Sequence, residues 1–361
     1  MKIFASRRRR RVGWAVGGLL LVLAVTAQVL YSTGIYASWR DGRSLDSACD
    51  GTLAQAGLEA ALNSSQPRAR AYDDSDYLTG CSVHSSVSGR QKSYLVLRLR
   101  WSTAAPPSGD LAYYGLGYNG VTNQAAPLGH GWPGIVRYDG GVYGVVVALD
   151  CENQKSKALV AYGELFGKSN STTLGGLGRV TAESAKKAAE KYGCHVRALG
   201  KQVTGLSSAR LGTPDTAKPL GQAQGSCLAL RGTAAAQNGT PDVMEYPADP
   251  DAPQTNCYLV TEAKKPGYGL YGYYGAIAKE FMTGKGDDLT FEGHDYSWAT
   301  ATCPQSAQPA VFVLYHLWDD PTDTYPVAHY SASFANSALK AFAEHEAKQR
   351  GCTNVRMMSG A

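Results

Sequence analysis

Two serine–lysine pairs are the first residues whose spacing could support catalysis. Ser184 and Lys187 match the pattern S-x-x-K, and so do Ser337 and Lys340. Where this pattern is catalytic, the serine is the nucleophile and the companion motifs S-D-N and K-T-G complete the site. Both companions are missing, and helical spacing places the two lysines on solvated faces. A solvated helix surface therefore explains the pairs better than a nucleophile does.

Histidines and aspartates in the second half of the chain form another candidate. Imidazole and carboxylate groups could build a metal site from nitrogen and oxygen ligands. The residues are His294, Asp295, His316, Asp319, Asp320 and His329. His130 lies in a loop that only the first half has. Because polar residues at strand ends are far commoner than metal sites, the sequence predicts no metal, no cofactor and no catalytic residue. An enzyme or metal-binding protein that uses this cluster is the alternative.

Tyrosine and glycine alternate in two tracts, Ala112–Tyr118 and Tyr268–Gly275. Tyrosine rings beside small residues can form a platform on which sugars or other rings stack. The candidate ligand-binding residues are Tyr113, Tyr118, Tyr271 and Tyr273. The alternative is a strand whose rings pack on a sheet and whose glycines permit twist.

The eight cysteines predict disulfides. They are Cys49, Cys81, Cys151, Cys194, Cys227, Cys257, Cys303 and Cys352. An even number without zinc-knuckle spacing is typical of an oxidising compartment. We predict the pairs Cys49–Cys81, Cys151–Cys194, Cys227–Cys257 and Cys303–Cys352, which tie an opening segment to an early strand and the closing helix to the strand beneath it.

Cysteine spacing also indicates an internal repeat. In both halves an aromatic–acid–glycine turn precedes the third cysteine, an apolar strand follows it, and a helix ends in Gly-Cys. We predict an α+β fold of two duplicated disulfide-bonded domains, residues 44–200 and 222–358, joined by a linker at 201–221. Each domain is expected to be an antiparallel sheet with helices on one face.

Local patterns place the elements that carry these residues. Strand 94–101 alternates, with leucines on one face and with Arg98 and Arg100 on a face expected to be wet. The closing helices are predicted at Ala182–Tyr192, with Thr181 as N-cap, and at Phe334–Arg350. Short strands should follow them, His195–Val196 in the first half and 353–355 in the second.

The N-terminus predicts where the protein is located. Residues 1–11 include five consecutive arginines, and residues 12–36 lack acidic and basic side chains. A helix of that length spans about 37 Å, enough to cross a hydrocarbon core of about 30 Å. The arginines place residues 1–11 in the cytoplasm and the domains outside, so we expect a single-pass membrane protein. The alternative is a signal peptide cleaved before Gln28.

Charge and architecture limit the function. Beyond residue 11 the chain has 29 Lys and Arg against 30 Asp and Glu, a balance that gives no support for nucleic acid binding. The arginine-rich start, the single span and the segment Ala48–Asp50 resemble anchored extracytoplasmic proteins of actinobacteria, a resemblance that implies location but no activity. We expect a binding protein whose partners are the membrane and the cell envelope or another protein. A transmembrane signalling partner is a further alternative, which 11 cytoplasmic residues disfavour.

Overall fold

The computed structural model describes residues 20–29, 35–71, 77–85, 93–104, 124–139, 142–154, 157–197, 199–206, 211–285, 295–304, 306, 308–319 and 321–358. Residues 20–29 are helical, and five further helices follow. They are α1 (Ile35–Asp46), α2 (Leu58–Leu62), α3 (Ser171–Lys191), α4 (Gly275–Lys285) and α5 (Ala332–Gln349). The strands are β1 (Pro67–Ala71), β2 (Thr79–Ser85), β3 (Tyr94–Trp101), β4 (Gln124–Pro127), β5 (Gly134–Asp139), β6 (Val142–Asp150), β7 (Ala158–Phe166), β8 (Lys218–Pro219), β9 (Asp242–Glu245), β10 (Gln254–Val260), β11 (Pro266–Tyr273), β12 (Tyr296–Thr302), β13 (Ala310–His316) and β14 (Thr353–Met358).

The strands form two antiparallel sheets, so the predicted α+β class is confirmed. The first sheet has the order β1-β2-β3-β7-β6-β5-β4, and the second has β14-β12-β13-β11-β10-β9-β8. Helix α3 lies on β6 and β7 of the first sheet, and α5 lies on β12 and β13 of the second. Five strands repeat the same neighbour order, β1-β2-β3-β7-β6 in one sheet and β9-β10-β11-β13-β12 in the other.

Helix α3 begins eleven residues before the predicted start, at Ser171 and not at Ala182. Its N-cap is Asn170, whose side chain accepts hydrogen bonds from the backbone N–H groups of Thr172 and Thr173. The glycines in its first turns hid this helix from propensity, because glycine is a poor helix former. Gly176 is required by packing, since a Cβ there would lie 2.4 Å from the backbone nitrogen of Ala61 in α2.

The closing strand is correct in one half only. In the second half β14 follows α5 as predicted and pairs with β12. In the first half, residues 194–197 after α3 form no strand, so the predicted strand His195–Val196 is wrong. The backbone carbonyl of His195 instead accepts a hydrogen bond from the N–H of Glu152, and its N–H donates to the side chain of Asn153. These turn contacts take the place of a strand ladder.

The two sheets face each other, and the helices α3 and α5 lie on their outer sides. One buried hydrophobic cluster contains residues of both sheets, among them Val146 and Tyr162 from the first, and Tyr271 and Val313 from the second. The face of β3 that we expected to be wet is therefore covered. Arg100 is 0 % exposed, which corrects that expectation.

The described residues of the segment predicted as a linker, 201–206 and 211–221, pack against the folded core. Val203, Leu206, Leu211 and Leu220 are all buried, and the carbonyl of Lys201 accepts a hydrogen bond from the indole of Trp132 at 2.8 Å. Apolar side chains buried at this level stabilise the fold rather than serve as a flexible tether.

All four predicted disulfides are confirmed. The bridges are Cys49–Cys81, Cys151–Cys194, Cys227–Cys257 and Cys303–Cys352. The first bridge of each half ends on an equivalent strand, β2 in the first half and β10 in the second. The second bridge joins the end of β6 to the segment after α3 in the first half, and the end of β12 to the segment after α5 in the second. Four disulfides indicate an oxidising, extracytoplasmic environment.

The predicted anchor is described only in part. Residues 12–19 and 30–34 lie outside the described residues, as does the cytoplasmic tail 1–11. Among the residues that are described, no helix is both long enough and apolar enough to cross a membrane.

Candidate functional site

Of the four tyrosines that we predicted to bind a ligand, the structure describes two. Tyr113 and Tyr118 lie outside the described residues. Tyr271 and Tyr273 project from β11 into the layer between the sheets, and both are 0 % exposed. The ring of Tyr273 stacks on Phe281 of α4 at 4.4 Å between centroids. This position is that of a packed core and does not favour contact with an external ligand.

The glycines of β11 make room for the rings of nearby tyrosines. A Cβ on Gly269 would lie 2.8 Å from the ring of Tyr271, and one on Gly272 would lie 2.6 Å from the hydroxyl of Tyr274. Burial raises the pKa of these phenols and takes that of the neighbouring Tyr258 to about 12, so the layer stays uncharged at these positions. The alternation of tyrosine and glycine in β11 is thus explained by packing.

A buried ion pair between the sheets was not predicted. Arg100 of β3 lies 2.7 Å from Glu280 of α4, and their side chains are 1 % and 0 % exposed. The hydroxyl of Tyr162 donates to the same carboxylate at 2.8 Å and accepts from Arg100 at 2.9 Å. The only signal in the sequence was weak: Glu280 stands with Lys279 between the apolar residues Ala276–Ala278 and Phe281, and a carboxylate that is buried needs a partner. This group joins the two halves of the chain.

The serine–lysine pairs have structural partners. The hydroxyl of Ser184 is buried and accepts a hydrogen bond from the backbone N–H of Ala54 at 2.8 Å. Lys187 is exposed, and its amine donates to the carbonyl of Leu53 at 3.1 Å. In α5, Lys340 lies 3.9 Å from Glu344 on the solvated face. The first pair therefore helps helix α3 to pack against the segment at Leu53 and Ala54, and the second lies on the solvated surface of α5.

The second-half cluster is brought together only in part. Antiparallel pairing of Tyr296 with Tyr315 places Asp295 beside His316 at the end of β13. His294 and Asp320 lie outside the described residues, and His329 is exposed. His130, in the first half, is exposed and contacts the carbonyl of Thr204 at 3.1 Å. Within the described part of the chain, no three His, Cys, Asp or Glu side chains converge as metal ligands would.

Both ring nitrogens of His316 face oxygen acceptors. Nε2 lies 2.7 Å from the carbonyl oxygen of Val327, which can only accept, so Nε2 carries a proton. Nδ1 lies 3.4 Å from a carboxylate oxygen of Asp295. The side chain is 2 % exposed. His316 is therefore placed to hold the loop after β13 in position, and it is poorly placed to act as a general base on a bound substrate.

Aromatic rings gather around this histidine at the rim of the second sheet. We call His316, Trp318, Tyr325 and Tyr330 the aromatic cluster. Tyr325 stacks on the imidazole at 4.1 Å, and Trp318 meets Tyr325 edge-on at 4.8 Å. Trp318, Tyr325 and Tyr330 are each only partly buried. Rings at this level of exposure can contact a ligand without refolding of the site.

Two described carboxylates lie near the aromatic cluster, Asp295 beside His316 and Asp319 next to Trp318 in the sequence. Asp295 is about half exposed, and Asp319 lies 3.0 Å from the amine of Lys265. A hydrogen bond from Thr322 and the charge of Lys265 hold the pKa of Asp319 below its usual value. Burial and the negative charge of Asp295 raise the pKa of the Tyr325 phenol. Lys265 therefore balances the charge of Asp319, while the carboxylate of Asp295 remains about half exposed beside the rings, where a positively charged group can approach it.

Comparison of the chain with protein-family models, with curated proteins and with solved structures finds no match, so its function has to be inferred from its own geometry.

Proposed function

We propose that the chain is an extracytoplasmic binding protein held at a membrane, with its ligand site at the aromatic cluster. One observation carries this proposal. Partly exposed rings lie beside carboxylates, while Nε2 of the imidazole among them binds the carbonyl of Val327 and Nδ1 faces Asp295. Such a surface provides stacking and hydrogen-bond acceptors but no poised base. Binding is therefore favoured over catalysis.

The chemistry of the aromatic cluster selects a class of ligand. Aromatic faces stack on rings that have an apolar side, and carboxylates accept hydrogen bonds from hydroxyl or amino groups. The carboxylate of Asp295, about half exposed beside the rings, favours a positively charged group on the ligand. A sugar with a free amino group, within an envelope glycan, has both the ring and the positive charge. We infer that glycans carrying amino groups bind better than acidic ones.

Replacing Tyr325 by alanine should weaken glycan binding. Loss of an aromatic contact of this kind costs about 0.5–1.5 kcal/mol, which corresponds to roughly two- to tenfold in Kd. Calorimetric titration with chitosan, neutral glucan and polygalacturonate oligomers of equal length would measure it, with chitosan expected to bind best.

Tyr138→Ala is the matched control, because Tyr138 is a tyrosine 37 % exposed in the other half of the chain. It should leave the affinity unchanged. The proposal is wrong if the acidic oligomer binds best, or if both substitutions have the same effect.

Residues 20–29 support the proposed membrane anchor. Every residue of this helical stretch is exposed, including Leu20, Leu21 and Leu23 at 56–67 %. The hydroxyl of Thr26 donates to the carbonyl of Val22 at 2.8 Å, so its polar group is satisfied inside the helix. A helical stretch whose side chains are exposed and, apart from Thr26 and Gln28, apolar is stabilised by an apolar surrounding. A bilayer supplies it.

Placing a charge in this stretch should release the protein from the membrane. Val22→Arg puts a charge near the centre of the anchor, at a cost of about 2.5–3.5 kcal/mol. Leu78→Arg, at an exposed leucine outside the anchor, is the control. Extraction of membranes with alkaline carbonate should leave the native chain and the control in the pellet and release part of the Val22→Arg variant. A mature N-terminus at Gln28 would contradict the anchor.

We also infer that the two halves arose by duplication. The shared order of five strands and the equivalent positions of the two bridges in each half support this proposal. The two sheets differ in the strand that follows these five. Strand β6 is next to β5, whereas its equivalent β12 is next to β14, which comes from the end of the chain. Since the aromatic cluster has no described counterpart in the first half, the ligand site is expected to be specific to the second.

A further inference from the structure

Helix α1 joins the proposed anchor to the first sheet. Five residues, 30–34, separate helical residues 20–29 from α1, and they can span at most about 17 Å. Helix α1 packs directly on β1. Its start is therefore held close to the outer end of the anchor, and the sheet is attached without a long tether.

The contacts of α1 show which end of the first sheet lies on the anchor side. Asp41 pairs with Arg68 at 3.7 Å, and the hydroxyl of Ser44 accepts from the N–H of Ala69 at 3.1 Å. The chain then continues to Cys49, which is bonded to Cys81 opposite Ala71. Helix and strand thus run in the same direction. The end of the sheet at Pro67 and Ser85 lies toward the anchor.

Aromatic and basic side chains occupy this end of the sheet. His84 stacks on Tyr94 at 5.3 Å, and Tyr94 stacks on Phe166 at 4.4 Å, across three neighbouring strands. All three rings are partly buried, and Lys168, two residues beyond the end of β7, is exposed. We call Arg68, His84, Tyr94, Phe166 and Lys168 the anchor-side rim.

We propose that the anchor-side rim rests on the lipid headgroups of the membrane in which the chain is anchored. This proposal rests on the proposed anchor and specifies how the protein sits on the bilayer. Aromatic rings with a polar edge favour the membrane interface, and long basic side chains reach phosphate groups from it. The rim carries both kinds of side chain at the end of the sheet that the anchor holds near the surface. The occupant is the phosphate and glycerol layer of the bilayer.

Two lysines at opposite ends of β7 provide a matched test. Lys168 follows the strand, Lys157 precedes it, and both are exposed. A strand of nine residues places them about 30 Å apart, whereas the headgroup layer is only about 5–8 Å thick. The full chain is reconstituted in nanodiscs with a photo-reactive amino acid at position 168 or at position 157, and lipid adducts are counted by mass spectrometry. Adducts at position 168 are expected to exceed those at 157 by about fivefold or more, and to increase when anionic lipid is added.

The outcomes separate the two proposals. Equal adducts at both positions, or none at position 168 in chains that carbonate does not extract, would overturn the lipid contact and leave the anchor intact. Release of the chain from the nanodisc would overturn the anchor itself. A photo-reactive amino acid at position 94 tests the rings directly. If a chain with Lys168→Glu still forms lipid adducts at position 94, the rings contact the lipid. If the chain that keeps Lys168 forms no lipid adducts at position 94, the proposed contact is contradicted.

Discussion

Replacing Glu280 by alanine is expected to destabilise the protein by about 3–5 kcal/mol. The substitution leaves the guanidinium of Arg100 in a layer where its side chain is 1 % exposed, without the carboxylate that lies 2.7 Å away. It also removes the acceptor of the Tyr162 hydroxyl. Denaturant titration of the disulfide-intact chain, followed by near-ultraviolet circular dichroism, would measure the loss as a lower midpoint.

Two controls separate the buried charge from other effects of this substitution. Glu344→Ala removes a glutamate from the exposed pair with Lys340 and should change stability by less than about 0.5 kcal/mol. A double variant, Arg100→Met with Glu280→Met, removes both charges and should recover much of the loss, because no unpaired charge then remains. A Glu280→Ala midpoint equal to that of Glu344→Ala would show that the pair does not hold the two sheets together.

Arg100 shows what sequence periodicity can and cannot predict. The alternation in β3 correctly assigned Leu95, Leu97 and Leu99 to one face and Arg98 and Arg100 to the other. A period of two residues says which side chains share a face, but it does not say what covers that face. Here the second sheet covers it, a contact between distant segments that no local pattern records. The burial of Arg100 could therefore not be predicted from its own strand.

The disulfide pairs could be predicted because each one joins two cysteines of the same half. Each bridge joins residues 30–49 apart within one half, and the repeat fixed which of the possible partners are equivalent. The start of α3 was not predictable in the same way. Gly176 lowers helix propensity but is needed for the close approach of α2. Local preference and tertiary packing conflict at this residue, and packing determines the structure.

The sequence identified the region around His316 but not the contacts within it. Residues near His316 were identified from their types, but the contacts that decide its role come from the fold. The carbonyl of Val327 fixes the proton on Nε2, and Tyr325 covers the ring. A backbone carbonyl leaves no trace in sequence, since every residue has one. The sequence could therefore suggest chemistry at His316, whereas the contacts that hold its ring are known only from the structure.

Removing both bridges of the second half is expected to unfold it. Cys227–Cys257 closes a loop of 30 residues and Cys303–Cys352 one of 49. The chain-entropy estimate gives each a contribution on the order of 4 kcal/mol, while the stability of a whole domain is about 5–15 kcal/mol. Replacing all four cysteines by alanine thus removes most of the free energy of unfolding of that half.

The loss should extend to the first half, because the layer between the sheets is shared. Tyr162 and Val146 of the first sheet are covered by residues of the second, so unfolding of the second exposes them. Limited proteolysis of the four-alanine variant should cleave within both halves, whereas a variant lacking only Cys303 and Cys352 should stay folded with a lower Tm. If the first half of the four-alanine variant stays as resistant to protease as the native chain, the two sheets are energetically independent. The contacts of Glu280 would then be a consequence of their proximity and not a cause of their stability.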